Sequence, residues 1–222
     1  MAIVVAITGG TSSGKTTLTR ALTEQLTDVT HLVMSQDTYF RDFSDVPESE
    51  RDAARTANRP DAVNWDALVP QLERLKRGES ITHPAAGTRA YQRGDAPQQL
   101  GPVPVVIVEG HLLLVDERVR ELANLKVFVD CDVEVRVLRR ISRDTSRATE
   151  GGGAEGVKEA LQRSLAWYRR DVLPNNQRYT TLQRGYADLI IPNERENPLH
   201  APLLAACIRA LLPGPRSSTA RV

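Results

Sequence analysis

Gly9-Gly10-Thr11-Ser12-Ser13-Gly14-Lys15-Thr16 follows the apolar run Ala2-Ile3-Val4-Val5-Ala6-Ile7 and precedes leucines at helical spacing, Leu18, Leu22 and Leu26. The octet fits the phosphate-loop pattern G-x-x-x-x-G-K-[ST], in the strand–loop–helix context that gives the pattern meaning. The glycines let the backbone curl so that N–H groups meet phosphate oxygens. Lys15 brings a compact cation toward the β- and γ-phosphates, and the Thr16 hydroxyl can ligate Mg²⁺. A helix starting near Gly14 adds its positive N-terminal dipole. Of 29 basic residues only Lys15, Lys76, Lys126 and Lys158 are lysines. A chain that otherwise takes arginine as its cation has lysine at this position.

Around this loop, 222 residues with 41% hydrophobic content suffice for one domain, or one domain with a lid. A net charge of +1 gives no global field for nucleic acid or a membrane surface. Cys131 and Cys207 have apolar neighbours and no metal or redox spacing, which fits small core side chains in a reducing cytosol. The apolar start runs straight into the phosphate loop, with no cleavage-type segment, and no apolar run reaches membrane-spanning length. A cytoplasmic protein is expected.

Strands are expected at 2–8, apolar throughout and β-branched, and at 30–35, 104–110, 125–130 and 186–192. Helices are expected at 14–27, at 64–77 with Asn64 as cap and Gly78 as stop, at 133–146, at 154–172 ended by Pro174, and at 198–212. The alternation predicts a three-layer α/β/α fold of the P-loop NTPase type, with a five-stranded parallel sheet. Residues 1–212 form the domain in this reading. It carries an arginine-rich lid at about 143–157, an acceptor-binding insertion at about 41–102, and a disordered tail at 213–222. A short hairpin within the insertion would pair Ser80–Thr82 with Thr88–Gln92.

Ligands of parallel α/β sheets sit at the carboxyl ends of strands. Asp37 follows one strand and Glu109 ends another. A strand-end carboxylate facing the loop suits a Mg²⁺ role; without the loop it would read as a solvated terminus. Arg136, Arg139, Arg140 and Arg143 share one helical face. Such a stripe is either a solvated face with carboxylate partners or a site for a triphosphate. Glu150-Gly151-Gly152-Gly153-Ala154-Glu155-Gly156 is either a lid hinge or a plain surface loop.

In series, these motifs resemble the uridine kinase (uridine–cytidine kinase) branch of the P-loop uridine kinase/phosphoribulokinase group. The likeness rests on Gly9–Thr17, Ser35-Gln36-Asp37-Thr38-Tyr39-Phe40, Pro60-Asp61-Ala62 with Trp65-Asp66, Leu75-Lys76-Arg77-Gly78, Val106–Gly110, Val127–Asp130, Arg139–Asp144, Tyr186–Pro192 and Asn197. It implies an ATP-dependent kinase that makes a nucleoside 5′-monophosphate, most simply from uridine or cytidine. Asp37 would take the proton of the 5′-hydroxyl. Lys15, Arg139, Arg140 and Arg143 would stabilise the moving phosphoryl group. ATP would lie on Gly9, Gly10, Thr11, Ser12, Ser13, Gly14, Lys15, Thr16 and Thr17, with Arg147 and Arg195 beside it. Thr16 and Glu109 would hold Mg²⁺. Asp37, Tyr39, Asn58, Tyr91 and Arg93 would receive the acceptor. A homo-oligomer acting on a small molecule, with no nucleic acid or membrane partner, completes the implication.

The sequence departs from the family where the acceptor is read. Asn58 replaces the ribose-binding Asp, Ala86 replaces a Tyr, and Tyr91 replaces a His, while Arg93 is kept. The Arg-Gly-Arg of the lid is reduced to Arg147. Two other readings therefore stand beside the first. One is a kinase of another riboside, a sugar phosphate or a pantothenate-like alcohol. The other is a nucleotide-binding regulator, which the lack of Asn-Lys-x-Asp and Asp-x-x-Gly motifs and the presence of Asp37 disfavour.

Overall fold

The computed structural model describes residues 1–54, 56 and 58–213. Strands β1 (Ile3–Thr8), β2 (His31–Ser35), β5 (Val105–Glu109), β6 (Leu125–Asp130) and β7 (Leu189–Pro192) form one parallel sheet in the order β2-β5-β1-β6-β7. A two-stranded antiparallel ribbon joins β3 (Ile81–His83) to β4 (Gln98–Leu100). Helices α1 (Lys15–Gln25), α2 (Glu48–Ala54), α3 (Trp65–Lys76), α4 (Arg89–Gln92), α5 (Glu117–Leu122), α6 (Val133–Trp167), α7 (Leu173–Asn175) and α8 (His200–Leu211) complete the regular structure. The five expected strands form the sheet, and the expected three-layer α/β/α arrangement is the observed one.

Strand side chains alternate faces, so each fully buried strand feeds two cores. Val4, Ala6, Val106 and Val108 meet Leu68, Leu72 and Leu75 of α3. Ile3, Val5, Ile7, Val105 and Ile107 meet Leu18 and Leu22 of α1 and Leu204 and Ile208 of α8. This explains why β1 and β5 read as continuous apolar runs: both faces are covered. α3 begins where expected, with the Asn64 side chain accepting a 3.1 Å bond from the Ala67 N–H.

Register places the site. Ser35, Glu109 and Ile7 are aligned across β2, β5 and β1. The residues just past these three strands therefore open into one crevice, at the carboxyl edge where the order of connection reverses.

Three expectations need correction. The ribbon pairs Ile81–His83 with Gln98–Leu100. Thr88–Gln92 instead carries the α4 turn, because the Thr88 hydroxyl accepts the Tyr91 N–H and starts a helix. Pro174 does not end the helical path. The chain continues through π turns at Tyr168–Val172 and Asn176–Thr180 and a 3₁₀ segment at Thr181–Tyr186. Proline at a first-turn position lacks only an N–H that the short α7 does not need. The third concerns the glycine stretch. Helical structure runs through it, and the break lies at Gly153 alone, with φ 58° and ψ −160°. The two limbs of α6 then lie side by side. Ser164 Oγ donates to Asp144 Oδ2 at 2.8 Å, whereas on a straight helix residues 20 apart would be about 30 Å distant. Among the described residues no helix is long and apolar enough to cross a membrane. Of the expected disordered tail, residues 214–222 lie outside the described residues.

Candidate active site

The phosphate loop leaves β1 through left-handed backbone at Gly9 (φ 149°), Ser12 (φ 59°) and Gly14 (φ 96°). Glycine is sterically required at Gly9, where a Cβ would meet the Val129 carbonyl oxygen at 2.5 Å. A Cβ on Gly10 would strike the Arg136 guanidinium, and one on Gly14 would strike the Asn193 amide. Asn193 Nδ2 also donates to the Ser13 carbonyl at 2.7 Å, so the end of β7 braces the loop. α1 begins at Lys15, and its first-turn N–H groups have no intrahelical acceptor.

Lys15 folds back on the loop. Its Nζ donates to the Gly9 and Gly10 carbonyls, each at 2.9 Å. Burial lowers its pKa to about 8; Glu109 and Asp37 oppose that shift, and Arg136 and Arg143 add to it. A polyphosphate would replace the two carbonyls with charged acceptors and restore the proton's advantage. Thr16 Oγ1 donates to both oxygens of Glu109, at 3.1 and 3.0 Å. Burial raises the Glu109 pKa, offset by the Thr16 bond and Lys15, while Asp37 adds to the rise.

One cleft of about 450 Å³ gathers these groups. Its lining includes Thr11, Ser12, Gly14, Lys15, Thr16 and Thr17 from the loop, Asp37 and Glu109 from the strand ends, Asn58 from the insertion, and Arg139 and Arg143 from α6. Gly9, Gly10 and Ser13 form the loop beneath it. Asp37 lies in a 3₁₀ turn, Gln36–Tyr39, whose cap is the Ser35 hydroxyl accepting the Asp37 N–H at 3.3 Å. Its carboxylate is exposed and has no direct hydrogen bond or ion pair among the described residues. Asn58 is only 4% exposed, and its Nδ2 is buried without a partner among the described residues. Arg139 donates to the Glu194 carbonyl at 3.0 Å and to Cys131 Sγ at 3.4 Å. Arg140 is turned aside: it pairs with Asp144 at 2.8 Å, lies 4.2 Å from the Trp167 ring centroid, and reaches Thr11 Oγ1 at 3.4 Å. The arginine stripe is thus divided by side-chain contacts. Arg139 and Arg143 face the cleft, Arg140 ties the two limbs of α6, and Arg136 is buried under Gly10 with its Nε on the Cys131 carbonyl.

Besides Arg140 and the underlying Gly9, Gly10 and Ser13, five expected site residues do not line the cleft. Tyr39 is fully buried in the α3 core and donates to Gln71 Oε1 at 2.6 Å; burial raises its pKa well above the usual phenol range. At three residues per 3₁₀ turn it points about 240° around from Asp37. Tyr91 is 55% exposed on α4, and Arg93 is held in an exposed pair with Asp95 at 2.7 Å. The Thr88 cap starts a helical turn that buries Ala90 and leaves the next residues outside. Arg147 and Arg195 are exposed and likewise stand off the cleft.

The structure also adds residues that sequence reasoning missed. His111 follows Glu109 by two residues, lines the cleft, and its ring sits 6.0 Å from Phe40. Asn193 and Glu196 line it from beyond β7. All follow strand ends, and the rule that selected Asp37 could have selected them. Gln183 had no such signal. It is fully buried, accepts from Thr8 Oγ1 and the Leu114 N–H, and donates to the His111 carbonyl at 2.8 Å.

The Thr16–Glu109 pair offers two oxygen ligands beside the loop, and among the described residues no group of three or more His, Cys, Asp or Glu side chains could hold a metal. Such a pair suits a hard cation that keeps water and phosphate oxygens around it, as Mg²⁺ does.

The sequence profile of the phosphoribulokinase/uridine kinase family matches residues 4–200. A uridine kinase of Lactiplantibacillus plantarum is 35% identical over 213 residues, covering 95% of this chain and 96% of the relative. A uridine kinase of Geobacillus sp. is 34% identical over 210 residues, covering 95% of each chain. Two solved structures share the fold. A proposed fructose transport system kinase from Silicibacter sp. TM1040 superposes with a TM-score of 0.58 at 19% identity, over 86% of this chain and 90% of the other. The YGR205w protein gives 0.54 at 11% identity, over 88% and 87%.

Proposed function

Because the chain belongs to the phosphoribulokinase/uridine kinase family, we propose that it transfers the γ-phosphoryl group of ATP to the 5′-hydroxyl of uridine or cytidine. The observation that carries this reading is the pairing of Asp37 with Lys15 in one cleft. A carboxylate without a direct partner among the described residues and a half-buried ammonium interact there across the space a γ-phosphoryl group would cross. Asp37 accepts the hydroxyl proton, the oxygen bonds to the γ-phosphorus, and the bond from that phosphorus to the β-bridging oxygen breaks, leaving ADP. Lys15, Arg139 and Arg143 offset the charge that gathers on the transferring group and the leaving oxygen. Arg140 acts through Thr11 and Trp167, holding the limbs that present its neighbours. Thr16 and Glu109 would hold Mg²⁺, whose chemistry is to neutralise phosphate charge. Residues 1–212 act as one kinase domain in this reading, with residues 41–102 receiving the acceptor and about 143–157 closing over it, in the cytoplasm.

A panel of acceptors with purified protein and ATP tests the reading. Formation of UMP and CMP is expected. Turnover of another alcohol, with none of either pyrimidine nucleoside, would overturn the acceptor. Asn58 supports a second reading. It faces the cleft with a free amide N–H where a carboxylate would serve a diol better, and Tyr91 and Arg93 stand off the cleft. An acceptor presenting a carbonyl or carboxylate oxygen suits that donor, so the panel includes sugar phosphates and pantothenate-like alcohols.

A further inference from the structure

A second cleft, of about 460 Å³, is lined by Thr56, Arg59, Arg170, Asp171, Asn175 and Arg178, with Tyr179 beneath the last. We infer that it is a separate binding site for a phosphate ester or polyphosphate of a small metabolite. Three guanidiniums line it against one carboxylate. Arg59 and Arg170 are each fixed by a neighbour: Arg59 by Asp61, and Arg170 by Asp171 at 2.6 Å. A guanidinium has five donors in a planar fork, and the Asp61 carboxylate cannot occupy all of those of Arg59. Arg178 has no carboxylate partner among the described residues; its guanidinium lies 5.2 Å from the Tyr179 ring centroid. The excess positive charge and the mixed polar wall suit a multiply charged oxyanion that accepts several forked hydrogen bonds.

The backbone supplies an independent observation. Arg170 and Asp171 come from one π turn, and Arg178 and Tyr179 from the other. π turns are rare and concentrate at functional sites. They bring residues eight apart, which an α-helix would set about 80° apart around its axis and about 12 Å along it, into one lining. The remaining wall is Thr56 and Arg59, the Thr56 hydroxyl accepting the Asn58 N–H at 3.4 Å. The π stretch also holds the arginine that lies beneath the phosphate loop, because Asn176 Oδ1 accepts from Arg136 Nη2 at 3.0 Å. The second cleft thus adjoins both halves of the active site while sharing no lining residue with it.

Calorimetric titration with pyrophosphate, on protein whose phosphate loop is already saturated with a non-hydrolysable ATP analogue, tests the site. Residual binding of pyrophosphate is expected. The double variant Arg59→Gln/Arg178→Gln should weaken it at least about tenfold, with analogue affinity unchanged. Both side chains are exposed, and Arg178→Lys, which keeps the charge but loses the fork, should give an intermediate loss. Hydrogen exchange should show protection of residues 168–180 by pyrophosphate in the native chain and not in the double variant. No residual binding after saturation, or binding and protection equal in the variants, would overturn the site. None of these readouts depends on which acceptor the enzyme uses.

Discussion

The donor and acceptor halves of the cleft are built differently. The donor half hangs from the ends of β1 and β5 in the middle of the sheet, where both faces are covered and Cα register fixes position. Lys15, Thr16 and Glu109 are already bonded to loop and neighbour there. The acceptor half is assembled from a 3₁₀ turn, isolated bridges such as Phe40 with Val63 and Arg41 with Thr88, and the insertion around Asn58. The Asp37 carboxylate and Asn58 Nδ2 have no hydrogen-bond partner among the described residues. In the proposed reaction the rigid half would hold the part common to every turnover, the triphosphate. A half made of loops can change its ligand without disturbing the sheet.

The sharpest break in that comparison comes from Asp37→Asn. It should lower kcat by about 10²–10⁴-fold while ATP binds as before. If kcat holds and only the acceptor KM rises, Asp37 positions and does not take the proton. Lys15→Ala strikes the other half. A loss of about 10²–10³-fold in turnover is expected, with an unchanged circular dichroism spectrum. Near-native turnover would remove Lys15 from the transferring group.

Proton linkage separates the halves more finely. Lys15 has its pKa depressed to about 8 in the free protein, and a bound polyphosphate favours its charged form. Below that pKa both states are protonated and affinity is flat. Above it, binding must take up a proton, so affinity falls as pH rises. Between pH 7.5 and 8.5 the ATP-analogue affinity should drop about threefold, with proton uptake visible as a buffer-dependent heat. A flat profile would mean that the lysine stays charged. The smallest effect is expected at the insertion's rim. Tyr91→Ala and Arg93→Ala should each change the acceptor KM by less than about twofold, as for exposed side chains away from the cleft. A tenfold rise in either would show that α4 folds over the acceptor during turnover.

Much of the fold was legible because its signals are local. Alternating buried faces, the Asn64 cap and the loop glycines all act within a few residues. The residues proposed for the donor side were legible for the same reason, since Gly9–Thr16 is contiguous and Glu109 ends a plain apolar run. The acceptor side was not. Tyr39 lies two residues from Asp37, yet the 3₁₀ turn sends it into the core, and no sequence spacing marks that turn as 3₁₀. Tyr91 and Arg93 matched the family by position, while their place outside the cleft depends on a cap three residues before Tyr91.

By itself the sequence determined the order of strands and helices, the phosphate loop and the family, because periodicity and short motifs are properties of neighbouring residues. Only the tertiary structure decided which two arginines of the α6 stripe face the cleft, which is buried beneath Gly10, and which clasps Trp167. Those four side chains share a helical face and are distinguished only by what packs against them: the phosphate loop, the second limb of α6 beyond Gly153, and the π turns that follow. Contacts between residues 20 to 130 positions apart set that choice, and no local pattern encodes them.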